Sequence, residues 1–168
     1  MKTLILSFFL SFSMVIGFAQ EKTKQQIKEE KKLAKQKEVE AIIDSKEFEF
    51  DGDMAYPQGG RSIDLTTNPN YLRFKNDSIH SEMPYFGRAY AGVAYGGGGG
   101  LNFKGPIKDY SVTKNKKNYI IKAEVRDNSD NYSIILTVYF EGGASLLITS
   151  NNRDSINYRG SVEKLKTK

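Results

Sequence analysis

The run Tyr119-Ile120-Ile121-Lys122-Ala123-Glu124-Val125-Arg126 decides the fold class, because apolar and charged residues alternate along most of its length. The polar turn Asp127-Asn128-Ser129-Asp130 follows it. A second alternating run then places five apolar side chains on one face: Tyr132, Ile134, Leu136, Val138 and Phe140. A two-residue period is typical of a strand with one buried face, and a short polar turn joins antiparallel neighbours. The two runs therefore predict a β-hairpin.

Segments of the same kind lie on both sides of this hairpin. Downstream they are 144–149 and 156–159. Upstream they are shorter and less regular, at 48–54, 62–65, 71–74, 78–83 and 107–113. About nine strands are too many for an open sheet with one solvated face, and closing the meander removes its exposed edges. We therefore predict a mainly β domain, an antiparallel meander that closes or curls into a barrel.

The N-terminus predicts export. A basic start at Met1-Lys2, an apolar stretch over residues 4–18 and small residues up to Ala19 are typical of a secretory signal peptide. The apolar stretch is shorter than the about 20 residues that span a bilayer. We expect cleavage between Ala19 and Gln20, where no cysteine follows to carry a lipid anchor. The mature protein is therefore expected in the periplasm or outside the cell.

The chain is predicted to have three parts: a signal peptide at 1–19, a charged helical lead at 20–46 and a single β domain at 47–168. The lead is rich in Lys, Glu and Gln and contains neither Gly nor Pro, which favours a helix. Its first turns carry few apolar residues and should be solvated. Its later apolar residues, Val39, Ile42 and Ile43, should dock on the β domain.

Composition excludes several classes of function. The 168 residues carry a formal net charge of +5 with both signs interspersed, which is too mild a bias for a nucleic-acid footprint. The chain has no cysteine, so neither disulfides nor thiol chemistry can occur. We expect no nucleic-acid partner, no cofactor, no transmembrane segment in the mature chain, and a monomer.

Few residues could carry catalysis. His80 is the only histidine, which excludes a two-histidine metal site, and no Gly-x-Ser-x-Gly elbow occurs. We predict no metal site and no catalytic residue. Carboxylates alternate at Glu49, Asp51 and Asp53, and a carboxylate pair across a cleft can hydrolyse glycans. A charged solvent face is the simpler interpretation of this region. An enzyme that acts on glycans through these carboxylates remains an alternative.

The tract from Pro84 to Pro106 is rich in Tyr and Gly and follows neither a helical nor a strand period. Its run of glycines at 96–100 precedes no helix start, so it does not form a phosphate-binding loop. Tyr and Arg commonly anchor recognition surfaces. We predict a binding site here for a ligand or partner, with Arg153 as a candidate neighbour, at Arg61, Tyr85, Arg88, Tyr90 and Tyr95. The alternative is an ordered crossover loop whose aromatic side chains plug one end of the barrel.

Four blocks follow one another along the chain: Pro57-Gln58-Gly59-Gly60-Arg61-Ser62-Ile63, Pro84-Tyr85-Phe86-Gly87-Arg88-Ala89-Tyr90, Phe103-Lys104-Gly105-Pro106-Ile107 and Ser150-Asn151-Asn152-Arg153. With the signal and charged helix ahead of them, they resemble a secreted family of Bacteroidota catalogued as domain of unknown function 4251. The resemblance covers about residues 48–165. It implies an envelope protein with a lipocalin-like β-barrel. It implies no activity, so no functional residue is carried over.

Two tripeptides, Asp77-Ser78-Ile79 and Asp154-Ser155-Ile156, resemble the Asp-Ser/Thr-aliphatic acceptor of O-glycans in Bacteroidota envelopes. We name Ser78 and Ser155 as candidate O-glycosylation sites, subject to surface exposure.

These observations favour an exported, non-enzymatic binding module that contacts a small ligand or an envelope protein. The glycan-acting enzyme is one alternative, and a structural envelope protein that docks through its charged helix is another. An apolar mouth lined by Tyr would favour the binding module, and a pocket of convergent carboxylates would favour the enzyme. A barrel filled by its own side chains would favour the structural protein.

Overall fold

The computed structural model describes residues 23–90, 99–128 and 130–165. Within these residues one helix precedes nine strands. The helix, α1, spans Lys24–Asp44. The strands are β1 Glu47–Pro57, β2 Ile63–Asp64, β3 Tyr71–Lys75, β4 Ser78–Met83, β5 Leu101–Lys114, β6 Asn118–Arg126, β7 Asn131–Tyr139, β8 Gly143–Ser150 and β9 Ile156–Lys164.

The strands form a closed antiparallel barrel. From β3 to β9 each strand pairs with the next, and β1 pairs with β3. The barrel closes where β1 pairs with β9, from Phe48 opposite Lys164 to Pro57 opposite Ile156. One edge of β1 has two partners: β3 pairs with its first half, and the short β2 pairs with its second half. Eight of the described strands therefore make the wall, which confirms the predicted mainly β fold behind one helix.

Large side chains fill the interior. The rings of Phe48 and Phe74 stack with their centroids 4.5 Å apart, and those of Phe103 and Tyr132 stack at 3.9 Å. Tyr158 is fully buried among them. Burial of such rings contributes much of the stabilisation of a chain that has no disulfides.

An irregularity in β1 decides how the barrel closes. The pairing of β1 with β9 shifts register between Gly52 and Met54. The buried Asn70 side chain pairs there with the Gly52 backbone, accepting its N–H through Oδ1 and donating from Nδ2 to its carbonyl oxygen, both at 2.9 Å. On β9, a Cβ added at Gly160 would lie 1.8 Å from the Asp51 carbonyl oxygen. Only glycine permits this close approach of two backbones.

The chain divides at Lys31 into two units. Of the first unit the structure describes residues 23–31, the exposed start of α1. A capping box begins the helix: the Gln26 N–H donates to Thr23 Oγ1 at 3.4 Å, and the Thr23 N–H donates to Gln26 Oε1 at 2.9 Å. None of the described helices is long and apolar enough to cross a membrane.

In the second unit, the later turns of α1 pack on one end of the barrel. Val39 and Ile43 are buried, and Ile42 packs against the same cluster. Lys114 Nζ, at the end of β5, lies 2.6 Å from Glu40 Oε1. The predicted docking of the later helix through its apolar residues is therefore confirmed.

The start of β5 differs from the sequence-based prediction, which began this strand at Ile107. The strand begins at Leu101. Leu101 and Phe103 are buried, and Asn102 and Lys104 between them are exposed. This alternation is regular, but the preceding glycines and Gly105-Pro106 resemble a loop in sequence.

Candidate functional site

Five connections lie at the end of the barrel opposite the later turns of α1, which we call the loop end. Strand pairings at this end include Met83 with Leu101 and Pro57 with Ile156. The described residues of the connections are 58–62, 65–70, 84–90 with 99–100, 127–128 with 130, and 151–155. Two of the four sequence blocks, 84–90 and 150–153, therefore meet in space, and the turn of a third, 57–63, lies at the same end. The loop end is the candidate functional site.

Tyr85 holds the tract 84–90 onto the barrel. Its side chain is only 9% exposed. Its hydroxyl donates to the Arg88 carbonyl oxygen at 2.7 Å and lies 3.0 Å from the Asp154 carbonyl oxygen. Burial, followed by the nearby Asp154 carboxylate, raises the pKa of this phenol. A Cβ at Gly87 would lie 2.3 Å from the same hydroxyl, so the tract needs glycine to wrap around Tyr85.

The tract also pairs with the connection between β8 and β9. Ala89 and Arg153 form an isolated antiparallel bridge. The Tyr90 N–H donates to the Asn152 carbonyl oxygen at 2.8 Å, and the Asp154 N–H donates to the Arg88 carbonyl oxygen at 3.0 Å. Residues 88–90 therefore have a fixed backbone although they lie outside the named strands.

Two side chains fix the surroundings of this pairing. Arg153 lies over the Tyr85 ring, 5.2 Å from its centroid, and donates from Nη1 to the Gly100 carbonyl oxygen at 2.8 Å. Tyr158, inside the barrel, donates to the Pro84 carbonyl oxygen at 2.7 Å. Burial raises the pKa of Tyr158, so its phenol remains a donor at any physiological pH. Both ends of the described tract are thereby attached to the barrel.

The outer side of the tract exposes aromatic and cationic groups. Tyr90 is 68% exposed and Phe86 40% exposed, and Arg88 is exposed beside them. The Tyr90 hydroxyl hydrogen-bonds Asp154 Oδ1, and this bond is the main cause that raises the pKa of Tyr90. Because the hydroxyl is held, the ring has a defined orientation above the tract.

The structure thus brings together three of the five predicted binding residues: Tyr85, Arg88 and Tyr90. Tyr85 faces inward and supports the tract, as the plug interpretation required, whereas Tyr90 faces outward. Arg61 is exposed in the 58–62 turn at the same end, and Tyr95 lies outside the described residues. Sequence reasoning missed the roles of Phe86, Asp154 and Tyr158. An alternating strand pattern does indicate that Tyr158 faces inward, but not that its hydroxyl meets Pro84.

The carboxylates of the alternative enzyme lie elsewhere, on the outer face of β1. Glu49, Asp51 and Asp53 line an open groove of about 410 Å³. Glu49 forms an ion pair with Arg73, which raises the pKa of that guanidinium, and Arg73 stacks 3.6 Å from the centroid of the Tyr71 ring. Arg73 thus occupies the Glu49 carboxylate, and the three carboxylates follow one another along a single strand, whereas glycan hydrolysis needs a pair that faces across a cleft. The geometry therefore gives this alternative little support.

His80 and the candidate modification site Ser78 lie on the barrel wall, in β4, whereas the other candidate, Ser155, lies outside it. His80 Nε2 lies 3.4 Å from the Tyr71 hydroxyl and 3.5 Å from Glu82 Oε1, which gives the ring polar neighbours on the surface. Ser78 is half-buried and donates to the Lys75 carbonyl oxygen at 3.1 Å. Ser155 is half-buried at the loop end. Glycosylation of either serine stays a prediction.

Comparisons with known proteins agree with the fold. The model of the family described as domain of unknown function (DUF4251) matches residues 30–162. The chain is similar to the crystal structure of a DUF4251 family protein from Bacteroides eggerthii DSM 20697, with 18% identity and a TM-score of 0.61. That match covers 78% of this chain and 88% of the other. No curated protein matches the chain.

Proposed function

Because this chain belongs to the DUF4251 family, whose description assigns no activity, we propose a function from the chain's own geometry: it is an exported, non-enzymatic binding module. Large side chains fill the interior, as the structural alternative also requires, so the recognition surface in this proposal lies outside the barrel, at the loop end. Phe86, Arg88 and Tyr90 contact the ligand or envelope protein, and Arg61 extends the surface from the neighbouring turn.

The observation that carries this proposal is the exposure of two aromatic rings on a backbone that is fixed from below. Phe86 and Tyr90 are open to solvent, while Tyr85 between them and the barrel is buried. A loop whose purpose was only to plug the barrel would gain nothing from two outward rings. Exposed large apolar side chains beside a cation are typical of binding surfaces.

Rigidity explains why such a surface binds. A partner that meets a flexible loop must order it, at a cost of about 0.5–1.5 kcal/mol for each immobilised side chain. Here the Ala89–Arg153 bridge and the Tyr85 hydroxyl order the backbone in advance. The Tyr90 ring is oriented by Asp154. The free protein is therefore already ordered here, and a partner does not lose binding free energy by ordering the loop.

Capture of envelope components on immobilised protein tests the proposal. Tyr90→Ala and Phe86→Ala should each weaken retention of a captured component by ~1–3 kcal/mol, or about 5- to 150-fold, without loss of folding. Tyr139→Ala is the matched control, since Tyr139 is also exposed but lies at the opposite end of the barrel. Equal retention by all three variants would remove the loop end as the site.

Export is the second part of the proposal, and it rests on residues 1–19, which lie outside the described residues. Cleavage after Ala19 should leave Gln20 as the first residue and place the protein in the periplasm or outside the cell. Intact-mass measurement of protein from the native host checks this. A mature species that retains Met1, or one that carries a lipid, would contradict it.

Glycopeptide mass spectrometry of the same sample would show whether Ser78 and Ser155 carry O-glycans.

A further inference from the structure

A shallow groove of about 540 Å³ crosses the outer wall of the barrel over β7, β8, β9 and β1. An exposed tyrosine stands at each side of it. Tyr139, at the end of β7, is 46% exposed, and Tyr56, in β1, is 41% exposed. Between them the lining includes Gly143 and Ser145, whose small size keeps the floor of the groove low. We call this surface the tyrosine groove.

The register of the sheet sets the distance between the two tyrosines. Tyr56 is the cross-strand partner of Asn157 in β9, which lies beside Leu147 in β8. Leu147 lies beside Ile135 in β7, and Tyr139 follows Ile135 by four residues. Three strand spacings of about 4.8 Å and four residues of about 3.3 Å each put the tyrosines about 20 Å apart along the wall. A ligand that contacts both rings is therefore a chain rather than a single small ring.

Both tyrosines have uncovered ring faces. Among the described residues, neither Tyr56 nor Tyr139 stacks with another ring or with a cation. Tyr71, elsewhere on the outer wall, is by contrast covered by the Arg73 guanidinium group. The face of a phenol ring is flat and apolar, and its hydroxyl lies at the edge. Each of the two tyrosines can therefore stack on a flat C–H surface of a ligand and still hydrogen-bond at its rim.

The polar side chains between the rings are also unengaged. Within the part of the chain that the structure describes, Ser145, Asn157 and Arg159 make no hydrogen bond or ion pair through their side chains. Glu141, which lines the same groove, makes none either. These groups supply a hydroxyl, an amide, a guanidinium group and a carboxylate, and their two charges cancel. The groove therefore suits a ligand that is rich in hydrogen-bonding groups and carries no net charge.

Two other classes of ligand fit this wall poorly. A peptide that binds a sheet through its backbone needs a free strand edge, whereas each of β7, β8, β9 and β1 has a neighbour on both sides. An anionic polymer needs a row of cations. Arg159 is the single cation among the described residues that line the groove, and Glu141 balances it.

We propose that the tyrosine groove binds a neutral oligosaccharide. A sugar ring carries C–H groups on its faces and hydroxyls around its edge, which match the uncovered tyrosine faces and the free polar groups of the floor. One sugar stacks on Tyr56 and another on Tyr139. The sugars between them hydrogen-bond Ser145, Asn157 and Arg159. This site uses none of the side chains of the loop end, so it is a second binding function, beyond the partner capture described above.

An array of neutral and acidic oligosaccharides, followed by calorimetric titration of the best binder, tests the proposal. Wild-type protein should retain neutral chains. Tyr56→Ala and Tyr139→Ala should each weaken binding about fivefold or more, as the loss of an aromatic anchor does. Circular dichroism should show both variants folded, since both rings are exposed. Retention of no neutral chain, retention of acidic chains alone, or wild-type affinity in either variant would overturn the proposal.

Gly143→Gln tests the groove without removing a ring. A Cβ added at Gly143 meets nothing within 4 Å, so the longer side chain should fill the floor of the groove and leave the fold intact. Thr149→Gln is the matched control, because Thr149 is exposed on the same strand but does not line the groove. Gly143→Gln should abolish oligosaccharide binding, and Thr149→Gln should bind as wild type. Equal binding by the two variants would contradict the assignment of the groove.

Free oligosaccharide separates this site from the loop end. In excess, it should release a component that is held through the tyrosine groove and leave bound a component that is held through the loop end. Tyr139→Ala is therefore a valid control for capture by the loop end when free oligosaccharide is present. Release of the component whose retention depends on Tyr90 would show that the two sites are not separate.

The length of the sugar chain tests the arrangement of the two rings. A disaccharide reaches only one tyrosine, so affinity should rise with chain length until the chain spans about 20 Å and should then level off. In Tyr56→Ala this rise should be lost, because only Tyr139 remains to be reached. Equal affinity of wild-type protein for a disaccharide and for the longer chains would exclude a ligand that bridges both tyrosines.

Discussion

Replacement by alanine should destabilise the protein strongly at Tyr85 and only slightly at Tyr90. The Tyr85 ring supports the loop end from below, whereas the Tyr90 ring is exposed on its surface. Tyr85→Ala removes a ring that is 9% exposed, and large aromatic-to-alanine changes cost about 3–5 kcal/mol. It also removes the hydroxyl bond to the Arg88 carbonyl oxygen, worth about 1 kcal/mol, and the Arg153 contact, worth about 0.5–1 kcal/mol. Because measured aromatic-to-alanine costs already include the lost contacts of the removed side chain, these two contacts place Tyr85→Ala at the upper end of that range, about 4–5 kcal/mol.

Tyr90 has no such role in packing. At 68% exposure, Tyr90→Ala should change the free energy of unfolding by no more than about 0.5 kcal/mol. For a chain of this size 1 kcal/mol corresponds to about 2–4 °C in Tm. Calorimetry should therefore show a fall of about 8–20 °C for Tyr85→Ala and at most about 2 °C for Tyr90→Ala. Tyr85→Phe, which removes only the hydroxyl, should fall between them at about 2–4 °C.

The result that refutes this reasoning is a strongly destabilised Tyr90→Ala. A fall in its Tm as large as that of Tyr85→Ala would mean that the whole tract is a plug, and the loop end would lose its exposed anchor. A Tyr85→Ala variant that melts with wild type would show instead that the tract is not held to the barrel by this ring.

Three further changes probe the closure of the barrel and its outer face. Asn70→Asp keeps the side-chain shape but removes the donor to the carbonyl oxygens of Gly52 and Asn68. Urea unfolding at neutral pH should show a loss of about 2–4 kcal/mol in the free energy of unfolding. The loss should be smaller in acid, where a protonated carboxyl can donate again. Gly160→Ala should prevent β9 from approaching β1 and abolish cooperative melting, whereas Gly143→Ala, where an added Cβ meets nothing within 4 Å, should melt near wild type. The pKa of Tyr71 is raised from 10.0 to about 12, chiefly by burial and then by Glu82, so its contribution to stability is fully present below pH 10 and is lost as the pH rises to about 12. Tyr71→Phe should remove that part of the alkaline loss, measured by urea unfolding across the same pH range.

The strands of the second half could be predicted because each buries one face of a regular alternation. Along β7, for example, Ile134, Leu136 and Val138 are all fully buried, as a two-residue period requires. The start of β5 could not be predicted in the same way, since its alternation at Leu101 and Phe103 is enclosed by glycines and Pro106. The glycines and the proline around it predict a loop, and an alternation of only two buried residues is too short to outweigh that prediction.

The candidate site was predictable only in part, because the two segments that form it are far apart in the sequence. The composition of the tract identified Tyr90 and Arg88, and exposure agrees with a surface role. What fixes them is the pairing of Ala89 with Arg153, more than sixty residues away. Neither segment has a strand pattern, so nothing in the sequence indicates that they meet. The separation of Tyr85 from Tyr90, one inward and one outward, depends on the same long-range contact.

The closure of β1 against β9 has a kinetic consequence. The first strand of the barrel remains without one of its neighbours until Ile156–Lys164, close to the end of the chain, becomes available. Contacts between such distant segments are formed late and slowly, because the loop that they close is long. Native closure of the wall therefore has to wait until β9 is available to pair with β1. Such a delay would favour the export proposed above, because the barrel cannot close before β9 has emerged.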